Sequence, residues 1–149
     1  MLADDPDEAA HQAEAFLKDK PLSVYYDEVA IRGLALAQHD VNRGMLDHAH
    51  RVRIKEAVEW VIDDLSDHDD ALVPNREEGA TEVAARPSVL SQEELAPGWR
   101  ETAVLCVAGR GSLDEAAAAM LAQLLEKHGI GARVVPSEAV SVAKVLGLD

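Results

Sequence analysis

The sequence predicts an α/β protein: an N-terminal helical bundle over residues 1–68, an acidic linker over 69–100 and a short parallel β-α-β-α unit over 101–149. Three observations lead there. Apolar residues recur at helical spacing through the first 65 or so positions. The run "TAVLCVA" is continuously apolar and of strand length, and a glycine turn and a helix follow it. Hydrophobic residues make up 48% of the chain but aromatics only 3%, so the apolar content is chiefly Ala, Val and Leu. That composition suits close-packed helices and buried parallel strands better than a β-sandwich.

The elements follow in order. "DPDEAAHQAEAFLKD" opens a helix with Asp5 as N-cap, Pro6 at the first helical position and Glu8 completing a capping-box pattern; Pro21 ends it. A second helix runs through "LSVYYDEVAIRGLALAQHDVNR", with Ser23 as a candidate cap and Gly44 as its stop. The third begins after Asp47, and Ile54, Val58, Val61, Ile62 and Leu65 fall on one face. Such amphipathic helices need one another, or another surface, to bury their apolar stripes. From Asp69 to about Gly98 the period breaks into Pro, Gly, Ser and acids, as in a flexible linker, with one short helical turn expected at "LSQEEL". "TAVLCVA" is then read as a strand covered on both faces, followed by a helix over 113–128 that stops at Gly129. "GARVVP" is a second strand ended by Pro136, and "SEAVSVAKVLGL" a second helix capped by Ser137. This is the opening of a Rossmann-like parallel sheet. Two strands are fewer than an independent sheet needs, so another chain supplies strands, the helical part covers the gap or, the favoured expectation, the sequence is a piece of something longer.

Charge narrows the function classes. The net charge is −14. Residues 1–68 carry −8, residues 69–101 carry −5 and the last third only −1. Nucleic acid and anionic membrane surfaces both require clustered Lys and Arg and are excluded as partners. The acidic N-terminus does not read as a signal peptide, and no apolar run reaches the ~18–20 residues of a membrane span. The single cysteine fits a reducing compartment.

The best candidate ligand site is the turn "AGRGS", with Gly109, Arg110, Gly111 and Ser112. Two glycines allow a tight turn with exposed amides at a helix N-terminus, where an anion could sit. The competing reading is a plain capping box with Ser112 as N-cap and Glu115 three residues on. Asp114 and Glu115 place negative charge in the first helical turn, and neither the third dinucleotide-fingerprint glycine nor a P-loop lysine is present. Cys106, mid-strand, reads as a small buried hydrophobe. His48 and His50 point apart on a helix; "DDLSDHDD" (Asp63, Asp64, Asp67, His68, Asp69, Asp70) lacks the turn of a calcium loop and reads as a solvated helix end. Tyr25 and Tyr26 are expected to anchor the bundle through their rings, and the adjacent Asp27 and Glu28 diverge too far for paired-carboxylate chemistry. No catalytic residue and no metal or cofactor ligand is assigned.

Two stretches together, "LADDPDEAAHQAEAFLKDKPLSVYYDEVAIRGLALAQHDVNRGMLD" and "VLCVAGRGSLDEAAAAMLAQLLEKHGIGARVVP", resemble the soluble C-terminal extension of bacterial permeases of the autoinducer-2 exporter family. The resemblance implies a cytosolic regulatory or interaction domain without catalysis. Its partner would be a permease membrane domain, in the same protein or another subunit; homo-oligomer formation is a further expectation. The architecture is also similar to cobalamin-binding modules, whose Asp-x-His-x-x-Gly motif follows the first strand. Arg110, Ser112 and Glu115 stand at those three positions, and His128 lies at the far end of the helix, so no cobalt ligation is implied. Alternative expectations are a nucleotide- or cobalamin-type sensor binding at Gly109–Ser112, and an enzyme fragment.

Overall fold

The computed structural model describes residues 6–68, 94–101, 104–109 and 111–140. It is a mixed, mostly helical protein with one small parallel sheet. Among the described residues the α-helices are α1 (Pro6–Leu17), α2 (Leu22–Tyr25), α3 (Ile31–Asn42), α4 (His48–Asp64) and α5 (Ser112–Lys127). A π turn, Tyr26–Ala30, joins α2 to α3, so the second predicted helix is one rod with a widened turn inside it. Pro6 occupies the first position of α1, as its fixed φ favours; the Asp5 cap lies outside the described residues. Pro21, not Ser23, is the N-cap of α2, its extended backbone (φ −70°, ψ 158°) leading straight into the helix with no side-chain cap.

Both predicted glycine stops are real. Gly44 (φ 72°) follows α3 and Gly129 (φ 78°) follows α5 in the left-handed region. Around each, paired bonds close the helix: Gly44 N–H to Val41 O (3.0 Å) with Met45 N–H to Asp40 O (2.9 Å), and Gly129 N–H to Glu126 O (2.9 Å) with Ile130 N–H to Leu125 O (2.9 Å). This two-bond arrangement satisfies terminal carbonyls that would otherwise lack donors. At its other end α4 is capped by Asp47, whose side chain accepts the His50 N–H at 2.9 Å.

The sheet pairs β1 (Val104–Val107) with β2 (Ala132–Val135) in parallel, Val104 opposite Ala132 and Val107 opposite Val135. One face packs on α5 through Cys106, Ala108, Ala118 and Ala122, with Val134 beside them. The other face is open: Leu105 is 53% and Val107 50% exposed. The expectation of a strand covered on both faces is therefore corrected. A continuous apolar run is needed for double burial, but the run alone does not supply a second layer. Of the helix read over 137–148, the first turn is a 3-10 turn, Ser137–Val140, and the rest lies outside the described residues.

The main core joins the N-terminal helices to the α/β unit. Leu17, Leu22, Tyr26, Leu34, Ile54, Val58, Val61 and Leu65 meet Leu113, Ala116 and Met120 of α5 in one cluster. Helix α5 is thus buried on two sides, toward the sheet and toward the helices. The alanine-rich composition of "DEAAAAMLAQ" permits that close approach. The face Ile54, Val58, Val61, Leu65 is buried as the periodicity predicts. Tyr25 and Tyr26 are both 3% exposed, and Phe16 meets Tyr25 edge-on with ring centroids 5.6 Å apart.

The end of the linker is folded. Leu95 is buried, Arg100 Nη2 donates to Leu95 O at 3.1 Å, and a 3-10 turn, Pro97–Trp99, precedes β1. The "LSQEEL" turn falls largely outside the described residues, and 69–93 wholly so. Gly131 N–H donates to Trp99 O at 2.8 Å, and a Cβ at Gly131 would lie 1.6 Å from Glu101 O. Only glycine permits that approach of two backbones.

Candidate functional site

The predicted turn lies at the C-terminal end of β1, the edge of a parallel sheet where ligands commonly bind. Arg110 lies outside the described residues. Gly109 is exposed, and Gly111 and Ser112 are partly buried. The cap differs from the capping-box reading. Gly111 is the N-cap of α5, in extended backbone with no side-chain cap, and Ser112 is the first helical residue. Glu115 N–H is bonded to Gly111 O at 3.0 Å, one residue earlier than a Ser112 cap would place the first helical bond.

Glu115 is taken elsewhere. Its Oε2 accepts from Lys55 Nζ of α4 at 2.8 Å, and its Oε1 accepts from the Ser137 N–H (3.3 Å) and hydroxyl (3.2 Å). One carboxylate therefore ties α4, α5 and the turn after β2 together across the mouth of the sheet. The Lys55 hydrogen bond, helped by Ser137, holds this carboxyl below the usual glutamate range, and the same bond raises Lys55. The Asp114 carboxylate stands over Gly109, its Oδ2 3.0 Å from where a Cβ would be. Negative charge thus lines the turn itself, and an anionic ligand would meet it.

The other sequence candidates are not brought together. Cys106 is buried against α5, and burial, with the Glu126 charge second, pushes its thiol up, the opposite of an activated nucleophile. Glu28 pairs with Lys20 at 2.7 Å, and Asp27 is exposed. His50 Nδ1 lies 2.8 Å from Asp47 Oδ1. Among the described residues no group of three or more His, Cys, Asp or Glu stands together as a metal site.

Two features had no local signal in the sequence. Gln123 is buried in α5; its Oε1 accepts from the Tyr26 hydroxyl and its Nε2 donates to Ile62 O of α4 at 2.6 Å. It bonds the π turn to α4 through α5. Burial, reinforced by the Tyr25 neighbour, raises the Tyr26 hydroxyl far above its ordinary value, keeping it a neutral donor. Beside Gln123 runs a groove of about 620 Å³ between the end of α4 (Ile62, Asp63), a stripe of α5 (Ala119, Ala122) and β2 (Ala132, Val134). Lys127 Nζ closes one rim by donating to Ser66 O (2.8 Å) and His68 O (2.6 Å). Among the described residues no helix is long and apolar enough to cross a membrane.

Compared with known proteins, the chain matches no family model, no curated protein and no solved structure.

Proposed function

We propose that the chain is a non-catalytic, cytosolic interaction or regulatory domain serving a bacterial membrane permease of the autoinducer-2 exporter type. The observation that carries an interaction role is the open sheet face. Leu105 and Val107 are half exposed side by side on a strand whose opposite face is packed. Apolar residues exposed next to one another on a two-stranded sheet mark a surface completed by another layer. We read the β-α-β unit as a Rossmann-like start that a partner surface covers. The turn at Gly109–Ser112 supports this rather than ligand sensing, because the Asp114 carboxylate stands over Gly109 and Glu115 is already bonded to Lys55 and Ser137. The permease as partner rests on the resemblance of the two stretches quoted above.

The test is capture from detergent-solubilised host membranes with the tagged chain and with the Leu105→Asp, Val107→Asp double variant. A polytopic permease retained by the wild-type chain and lost from the variant is the expected result. Retention of no membrane protein, or equal retention by a folded variant, would refute the proposal.

A further inference from the structure

The turn after β2 decides which side of the sheet the chain takes next. Ser137 gives both its N–H (3.3 Å) and its hydroxyl (3.2 Å) to Glu115 Oε1, and Glu115 belongs to α5. The 3-10 turn Ser137–Val140 is therefore tied to the side that α5 covers, away from the open face of Leu105 and Val107. Three bonds give the direction of the helices there. Lys55 to Glu115, Gln123 to Ile62 O and Lys127 to Ser66 O show α4 and α5 running side by side the same way. The groove described above follows their flank from Ala119 to Lys127, with Ala132 and Val134 of β2 as its other wall. A chain leaving Ser137 beside Glu115 has this channel directly before it.

We infer that residues 141–149, which lie outside the described residues, continue the Ser137 turn as a helix seated in this groove, parallel to α5. Apolar spacing supplies the fit. Ala139, Val142, Ala143, Val145 and Leu146 fall on one helical face, while Ser141 and Lys144 fall on the other. At ~1.5 Å per residue a helix over 137–148 would be about 16 Å long, against roughly 18 Å of α5 between Glu115 and Lys127. Ala119 and Ala122 present no side chain beyond a methyl, so a second helix can lie close to α5 there. Charge does not select the occupant, since Asp63 and Glu126 are matched by Lys127 and Arg133 along the same groove. The groove is then an internal seat for the next element of this chain, and the face of Leu105 and Val107 is left to the partner. The inference does not rest on who that partner is.

Nuclear Overhauser contacts in the whole chain, with Ala, Ile, Leu and Val methyls labelled, test this. The expected contacts run from Val142 and Leu146 to Ala119, Ala122 and Ile62, and the amides of 142–146 should be protected from exchange. Ala119→Trp fills the floor of the groove and should lower that protection by about tenfold or more. Should that variant fail to fold, Leu146→Asp, a change at the other partner, must give the same loss. Four results would overturn the proposal. Contacts from 141–149 to Leu105 or Val107 would put the segment on the open face. Contacts found only between differently labelled chains in a mixed sample would make the occupant a second copy. An absence of contacts, with unprotected amides, would leave the groove to a partner. Protection unchanged in a folded Ala119→Trp variant would place the segment elsewhere.

Discussion

Replacing Gln123 with leucine is expected to destabilise the protein by about 2–4 kcal/mol. Gln123 is buried and makes two bonds, accepting from Tyr26 and donating to Ile62 O at 2.6 Å. Leucine strands the hydroxyl of Tyr26, a residue only 3% exposed, at a cost of roughly 1–3 kcal/mol for a buried unpaired donor. Loss of the bond to Ile62 adds about 1 kcal/mol, and the larger apolar side chain offsets a fraction. For a chain of this size the melting temperature should fall by about 5–15 °C. Tyr26→Phe alone strands the Gln123 oxygen instead. The double variant strands neither, so it should be more stable than the summed single losses imply, with a coupling of about 1–2 kcal/mol. Urea unfolding of the four proteins, followed by far-ultraviolet circular dichroism, measures this. Strictly additive losses would refute the claim that the π turn and α5 are joined through this bond.

Two further outcomes follow from backbone approach and charge. Gly131→Ala places a Cβ 1.6 Å from Glu101 O, so the 97–101 segment must move; stability should drop by about 3 kcal/mol or more, measured by the same unfolding. For the Glu115–Lys55 pair the sign is set by two opposite shifts. The lowered Glu115 stabilises the fold above its ordinary value of about 4.3, and this is lost as pH falls through the lower folded value. The raised Lys55 contributes fully below about 10.4 and loses it as pH rises through the higher folded value. Glu115→Gln should therefore lose about 1 kcal/mol at pH 7 and progressively less as pH falls through the lowered Glu115 value, seen as converging melting temperatures.

What could be read from the chain was what is local. The spacing of Ile54, Val58, Val61 and Leu65 encodes a buried face because helix geometry repeats within a few residues. Gly44 and Gly129 mark helix ends because only the immediate backbone decides them. The misreadings share the opposite property. Glu115 sits at the right distance from Ser112 for a capping box, yet Lys55, sixty positions away in sequence, offers it a charged partner. Gln123 lies in an alanine-rich helix with nothing nearby to distinguish it from a surface residue; its partners come from α4 and the π turn. Gly131 reads as the start of a strand, whereas what requires it is the backbone at Glu101, thirty residues earlier. In "TAVLCVA" the number of covered faces is a property of the neighbours, and a run of four to eight apolar residues cannot encode it.

The π turn also bears on how this helix tolerates change in length. Leu22, Tyr26, Ala30 and Leu34 are spaced by four, and on a straight α-helix each such step rotates the side chain by about 40°. Three steps would swing Leu34 about 120° away from Leu22, yet all four are buried in the same core. The widened turn at Tyr26–Ala30 absorbs about one residue's rotation of 100°, returning Leu34 to the face of Leu22. The rod thus holds one residue more than its packing direction requires. Removing a residue inside that turn would let it relax to ordinary α-helix with Leu34 and Val41 still aimed at the core, while a deletion anywhere downstream would turn every later side chain out of register.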